Sequence, residues 1–182
     1  MKKTLIVVDM QNDFVDMALG TAEAVQIVPK VKEKIAQYHK NGWEIIYTRD
    51  THSEDYLQTA EGKKLPVEHC IRGTKGWEIV DGLYIDGYKI IDKPNFGWTH
   101  WEQETLEDVE IIGLCTDICV VSNALIIKAT FPDAAIRVDS ACCAGVTVDS
   151  HNAALKTMAM CQIDIMQTKK QRKLQKGKEK RK

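Results

Sequence analysis

Short apolar runs alternate with helical patterns along the chain, and this alternation limits the possible folds more than any other feature. In the first half, an amphipathic helix is predicted from about Ala22 to Lys40, with Pro29 as a point where it could bend. The predicted strands there are Leu5 to Val8, Trp43 to Thr48 and Tyr88 to Ile91, with a short helix near Trp77 to Val80.

The second half continues the same alternation. Val109 to Leu114 is mostly apolar, which suits a strand covered on both faces. The elements predicted after it are a helix from Cys119 to about Thr130, a strand from Ala134 to Val138, a helix from Val148 to Cys161 and a short strand from Ile163 to Met166. Strands that alternate with helices favour right-handed crossovers, so the sequence predicts an α/β fold with a parallel sheet covered on both faces.

Length and composition favour one domain. The chain has 182 residues, of which 44% are hydrophobic, and it shows no internal repeat. It has no apolar run of membrane-spanning length and no signal-peptide pattern, so we expect a cytoplasmic protein without a membrane partner. The six cysteines include no C-x-x-C pair, which argues against a disulfide framework and against a cysteine zinc site.

The charge of the chain is unevenly distributed. Residues 169–182 hold nine Lys or Arg and the single acid Glu179, a net charge of +8, while the whole chain carries −1. Such a basic segment, poor in apolar residues, predicts a disordered tail that follows a domain of residues 1–168. The segment lacks aromatic residues, so nucleic acid is not an expected partner.

Cys119 is the candidate nucleophile. Gly113 is expected to open a turn in which Thr116 or Asp117 caps the following helix, and this places Cys119 in the first helical turn. Unpaired backbone N–H groups and the helix dipole favour a thiolate there, and the same N–H groups could hold an oxyanion. The competing interpretation is a buried cysteine that only fills space, since free cysteine is among the most buried residue types.

Two other reactive residues follow predicted strands. Asp9 comes directly after Val8, and Lys93 comes just after the strand that ends at Ile91. Parallel strands present their carboxyl ends to one ligand crevice, so Asp9, Lys93 and Cys119 are expected at the same edge of the sheet. Lysine at a strand end is more often a solvated charge; its place beside two other reactive residue types favours the functional interpretation.

A possible metal site lies in the long connection after the second strand. Asp50 and His52 begin this polar segment and His69 closes it, while Glu61 lies between them. Two imidazoles and a carboxylate could bind one divalent ion, with Glu61 adding an oxygen ligand. Scattered polar groups on the surface are the alternative.

These motifs together resemble the isochorismatase-like cysteine hydrolase family. The resemblance rests on V-V-D-M-Q-N-D-F around Asp9, D-K-P-N-F-G-W around Lys93 and G-L-C-T-D-I-C-V around Cys119. Within that family, D-x-H at Asp50 with P-V-E-H-C-I-R-G-T-K-G at 66–76 is similar to the metal-containing nicotinamidases. The resemblance implies a Rossmann-like, three-layer domain with a six-stranded parallel sheet, an Asp-Lys-Cys triad and a homo-oligomer.

The resemblance also implies a role for each residue. Asp9 would be the general base, Lys93 would hold its charge, and Cys119 would attack the amide carbon. The backbone N–H groups of Cys115 and Cys119 would form the oxyanion hole, with a cis peptide before Cys115. A divalent metal, zinc in first place with iron or manganese as alternatives, would be bound by Asp50, His52 and His69, with Glu61 as a further ligand.

This chain differs from many nicotinamidases at two positions that bear on the substrate. Many of them have a second His shortly after the D-x-H pair, where this chain has 53–56 S-E-D-Y, and a Trp where it has Leu65. Phe14 remains as one wall of the substrate site, and Phe96 and Trp98 are candidates for the other wall. The residues assigned to substrate binding are Phe14, Leu65 and Trp98.

The resulting hypothesis is hydrolysis of nicotinamide, a small-molecule amide, to nicotinate and ammonia. Its first alternative is a related cysteine amidase acting on another small amide or a carbamoyl compound, and a distant one is a non-catalytic binding protein. An isochorismatase proper is disfavoured because cleavage of a vinyl ether needs no cysteine.

Overall fold

Six parallel strands form one sheet in this computed structural model, which describes residues 3–166. The strand order is β3-β2-β1-β4-β5-β6. The chain therefore runs outward in one direction from β1 and then restarts on the other side of β1 with β4, which makes the junction between β1 and β4 the switch point where such sheets bind ligands. The strands are β1 (Lys3–Val8), β2 (Glu44–Asp50), β3 (Lys89–Lys93), β4 (Asp108–Leu114), β5 (Ala135–Ala144) and β6 (Asp164–Met166).

Helices cover both faces of the sheet, as the sequence predicts. The α-helices are α1 (Asn12–Val15), α2 (Ala22–Lys40), α3 (Val121–Thr130) and α4 (Val148–Met160), joined by a π-helical turn at Thr116–Val120 and 3-10 turns at Tyr56–Gln58 and Trp101–Gln103. The side chain of Thr21 caps α2, and this helix continues through Pro29 without a break.

The two faces of the sheet bury separate apolar cores because successive strand residues point to opposite sides. Leu5 and Val7 of β1 join the core under α1 and α2, whereas Ile6 and Val8 join the core under α3 and α4. Strand β1 is therefore apolar on both sides, and the polar residues of the candidate site lie at the strand ends.

Gly113 allows β1 and β4 to approach closely at the switch point. Its φ angle is 119°, and a Cβ added there would lie 2.0 Å from the backbone oxygen of Val8. Only glycine fits this combination of backbone angle and contact. Gly113 thus lies inside β4, not in the predicted turn after it, and keeps the strand that precedes Asp9 beside the strand that precedes Cys119.

Several element boundaries differ from the sequence prediction. The helix expected near Trp77 is a series of turns, in which the Trp77 ring stacks at 3.6 Å on Arg49. The third strand begins and ends later than predicted, with Lys93 as its last residue, and β5 extends six residues beyond Val138, to Ala144. The predicted tail at 169–182 lies outside the described residues. No helix in the described part of the chain is long and apolar enough to span a membrane.

Candidate active site

Asp9 is fixed at the carboxyl end of β1 by its backbone and by β2. Its φ angle is 47°, in the left-handed region that aspartate rarely adopts, and its side chain is fully buried. The hydroxyl of Thr48 donates a hydrogen bond of 2.7 Å to Asp9 Oδ1, and the backbone N–H of Asp9 donates to the Thr48 carbonyl. A rare backbone angle at a buried carboxylate is typical of functional sites, and here it is held by β2.

Lys93 joins Asp9 to the rest of the site. Its ammonium lies 2.7 Å from Asp9 Oδ2 and 3.5 Å from Asp50 Oδ1, and it is fully buried. It also donates to the carbonyl of Asn95 at 3.1 Å and to Cys119 Sγ at 3.6 Å. A buried lysine remains charged only when it is paired, and the neighbouring carboxylates raise the pKa of Lys93 even though burial opposes this.

Cys119 lies in the π-helical turn between β4 and α3. The backbone N–H groups of Ile118 and Val120 both donate to the carbonyl of Cys115, each at 3.1 Å. The residue before the turn is Cys115, and no side chain caps the turn. The predicted caps at Thr116 and Asp117 are therefore wrong. The helix predicted from Cys119 is instead a π turn followed by α3.

The pKa of Cys119 is raised, contrary to the expectation that the helix start stabilises a thiolate. Burial has the largest effect and the Asp9 carboxylate adds to it, while Lys93 opposes both. Burial likewise raises the pKa of Asp9, although Lys93 lowers it. Both shifts favour a thiol at Cys119 over a thiolate, and a raised pKa would suit Asp9 to accept the proton of that thiol.

Four possible metal ligands converge beside this triad. Asp50, His52, Glu61 and His69 each offer a ligand atom, and these atoms all lie within 4.8 Å of one another. His52 Nε2 lies 3.1 Å from Asp50 Oδ2, and His69 Nε2 lies 3.9 Å from Glu61 Oε1. The structure brings together the predicted ligands, including Glu61.

The surroundings of these four residues suit a divalent cation. His69 Nδ1 lies 2.8 Å from the Val67 carbonyl, a contact that leaves Nε2 free to bind a metal. Burial and the nearby Asp50 charge raise the pKa of Glu61, a repulsion that a cation would relieve. Two imidazole nitrogens with two carboxylate oxygens form a donor set that zinc accepts.

A cavity of about 280 Å³ lies between Cys119 and the ligand cluster. Phe14 and Leu65 line it as predicted, and Asp50, Glu61, His69 and Cys119 also reach its wall. Trp98 does not line the cavity; it packs against the α3 and α4 core, and its backbone N–H donates to Asn123. Phe96, the other candidate named from the sequence, takes that place in the wall.

The oxyanion hole departs from the expected geometry. Residues 3–166 contain no cis peptide bond, so the cis bond expected before Cys115 is absent. Cys115 nevertheless lines the cavity together with Cys119. The backbone N–H groups of these two residues are therefore assigned to the oxyanion hole only as a proposal.

Sequence reasoning missed several residues that hold the site together. The side chain of Gln11 accepts a hydrogen bond from the Asp50 backbone N–H at 2.7 Å and donates to the carbonyls of Asp50 and Trp77. Thr48 and Asn95 hold Asp9 and Lys93 in the contacts described above. Gln11 lies two positions after Asp9, and a polar residue so close to a strand end is a weak signal of a role in the site. No sequence signal pairs Thr48 with Asp9.

The isochorismatase domain model matches residues 3–170. The chain belongs to the isochorismatase family. The matched residues include the whole described sheet and the ends of β1, β3 and β4, where Asp9, Lys93 and Cys119 lie.

Curated relatives within the isochorismatase family include two nicotinamidases. The nicotinamidase of Schizosaccharomyces pombe is 26% identical, over 91% of this chain and 93% of its own length. The nicotinamidase/pyrazinamidase of Mycobacterium tuberculosis is 25% identical, over 90% and 98%. Among solved structures, pyrazinamidase of Pyrococcus horikoshii in complex with zinc is 28% identical with a TM-score of 0.79, over 92% of this chain and 100% of that one.

Proposed function

We propose that this chain is a metal-dependent nicotinamidase that hydrolyses nicotinamide to nicotinate and ammonia. The observation that carries the proposal is that Lys93 joins Asp9 to Cys119, and that Cys119 lines one cavity with three residues of the ligand cluster, Asp50, Glu61 and His69. The likeness to nicotinamidases over almost the whole chain supports it. Ammonia release from nicotinamide by the purified protein is the direct test, and no release would refute the proposal.

The first half of the reaction forms a thioester. Cys119 gives its proton to Asp9, and the thiolate attacks the amide carbon while Lys93 holds the Asp9 side chain in place. The carbonyl oxygen becomes an oxyanion, for which the backbone N–H groups of Cys115 and Cys119 are the proposed donors. The carbon–nitrogen bond then breaks, and the proton held by Asp9 passes to the departing ammonia.

The second half returns the enzyme to its resting form. Asp9 takes a proton from water as that water attacks the thioester carbon, and the carbon–sulfur bond breaks. Asp9 passes that proton to the Cys119 sulfur, and nicotinate leaves the cavity. A divalent ion held by Asp50, His52, Glu61 and His69 would supply a Lewis-acid contact for the ring nitrogen, and the apolar wall that includes Phe14 would pack against the ring.

The metal site gives the next prediction. We expect the chain to bind about one equivalent of zinc after dialysis, and Asp50→Asn to reduce this below about 0.1 equivalent because it removes the buried carboxylate at the centre of the cluster. Elemental analysis and the zinc-dependent rise in Tm measure the effect without relying on turnover.

Glu68→Gln is the matched control for this measurement, since Glu68 is exposed and lies outside the cluster. Equal zinc content in Asp50→Asn and the wild type would remove the metal from the proposal. A wild type with less than about half an equivalent would favour the alternative, a related amidase for other small amides or carbamoyl compounds.

The raised pKa of Asp9 predicts the acid side of the pH profile. Only the carboxylate form of Asp9 accepts the Cys119 proton, so kcat/KM should fall as pH decreases through the pKa of Asp9. Because burial raises that pKa, the fall should begin at a higher pH than for an ordinary carboxyl group. A profile measured from about pH 4 to 9 that stays flat down to about pH 4 would contradict the assignment.

The predicted homo-oligomer and cytoplasmic address form part of the same proposal. Sedimentation of the purified chain tests the first, and fractionation of the source cells tests the second.

A further inference from the structure

We propose that His151 and Thr116 act as positioning residues that hold the π-helical turn of Cys119 in its catalytic geometry. This inference rests on the proposed function, because it concerns the same nucleophile. Its starting point is that the turn begins without a side-chain cap. The amide of Asn123 in α3 donates to the carbonyl of Cys119, and two further side-chain contacts join the start of the turn to the segment after β5.

Thr116 makes the first of these contacts. Its side chain is fully buried, and its hydroxyl lies 2.8 Å from His151 Nδ1 in α4. The capping box of Thr147 and Ser150 fixes the start of α4, so His151, the next residue after Ser150, is held in the first turn of that helix. A hydrogen bond from a buried hydroxyl to a fixed ring limits how the turn can move.

Asp117 makes the second contact. Both of its carboxylate oxygens accept from the backbone N–H of Val146, at 3.1 and 3.2 Å. Gly145 permits this approach, since a Cβ there would lie 3.0 Å from Asp117 Oδ1 and 2.9 Å from His151 Cβ. Two successive residues between Cys115 and Cys119 are thus tied to one external segment.

His151 acts through the turn and does not touch the reacting atoms. It does not line the cavity over Cys119, whereas Cys115 and Cys119 do. Burial lowers the pKa of His151 although Asp117 opposes this, and the lowered pKa favours the neutral ring that pairs with Thr116. Because oxyanion donors act mainly in the transition state, loss of the contact should lower kcat more than it changes KM.

The experiment compares matched substitutions at Thr116. Thr116→Val keeps the shape but loses the hydroxyl, and we expect it to lower kcat for nicotinamide about 30-fold with KM within about threefold of the wild type. Thr116→Ser keeps the hydroxyl and should remain within about threefold in both constants. Thr130→Val, which removes a hydroxyl bond inside α3, is the control for a general loss of stability.

A second pair of variants keeps the test valid if Thr116→Val fails to fold. His151→Leu should reproduce the loss in kcat, and His151→Asn, which places an amide near the position of Nδ1, should restore most of it. Pyridine-3-carbaldehyde is an aldehyde to which the Cys119 thiol would add, giving a tetrahedral hemithioacetal, and its affinity should fall in parallel with kcat. The rate of Cys119 alkylation by iodoacetamide, which needs no oxyanion donors, should stay unchanged.

Two results would overturn the inference. One is a kcat within about threefold of the wild type in both Thr116→Val and His151→Leu. The other is a parallel loss of kcat, alkylation rate and Tm, which indicates a structural role only. A wild type that releases no ammonia from nicotinamide would instead refute the proposed function, so the two failures are distinguishable.

Discussion

Replacing Cys119 with alanine is expected to lower kcat for nicotinamide by about 10⁵-fold, because the substitution removes the atom that forms the thioester. Cys115 also lines the cavity, but the Lys93 ammonium donates its hydrogen bond to the sulfur of Cys119, so Cys115 is a poor substitute. Initial rates of ammonia release, with mass spectrometry of a trapped acyl-enzyme in the wild type, measure the effect.

Cys161→Ala provides the matched control, since Cys161 is an exposed free thiol. It should leave the rate unchanged, and both variants should retain the zinc content of the wild type because neither residue belongs to the ligand cluster. A Cys119→Ala enzyme that retains more than about 1% of the wild-type kcat would exclude Cys119 as the nucleophile.

The substitution Asp9→Asn should separate the ionisation of Cys119 from catalysis. We expect kcat to fall about 10³-fold, since the amide cannot accept the thiol proton or return it to ammonia. The pKa of Cys119 should nevertheless decrease, because the Asp9 charge raises it in the wild type while Lys93 lowers it. The variant would thus form the Cys119 thiolate more easily than the wild type and yet turn over more slowly.

Two measurements on Asp9→Asn test this prediction together. The pH dependence of iodoacetamide alkylation should shift to lower pH, and the acid limb in kcat/KM should disappear. Asp86→Asn, at an exposed turn, should change neither. An alkylation profile displaced to higher pH, or a kcat within about tenfold of the wild type, would show that Asp9 is not the base.

The position of the triad could be predicted from the sequence for a physical reason. Asp9 follows an apolar run whose end is clear, and in a parallel sheet strand ends meet at one edge. The same rule brought Lys93 and Cys119 to that edge. The four ligand residues could be predicted as a group because they lie on one connection that begins at a strand end.

Other properties could not be predicted because they depend on packing. The raised pKa of Cys119 arises from complete burial beside a carboxylate, and sequence spacing carries no measure of desolvation. Trp98 and Phe96 are two positions apart and both aromatic; which one faced the cavity depended on the contact of Trp98 with Asn123 in α3. The bond between Thr116 and His151 joins distant segments, and neither residue type signals its partner.

The proposed catalytic residues and the ligand cluster come from different segments of the chain, and this separation decides which substitutions affect each of them. The proposed catalytic residues follow or end three separate strands, whereas the ligand cluster comes from the single stretch between Asp50 and His69. The ion pair of Lys93 with Asp50 links the two at the last residues of β2 and β3. Substitutions in that stretch that spare Asp50 can therefore change the proposed metal and substrate contacts without removing a contact between Asp9, Lys93 and Cys119.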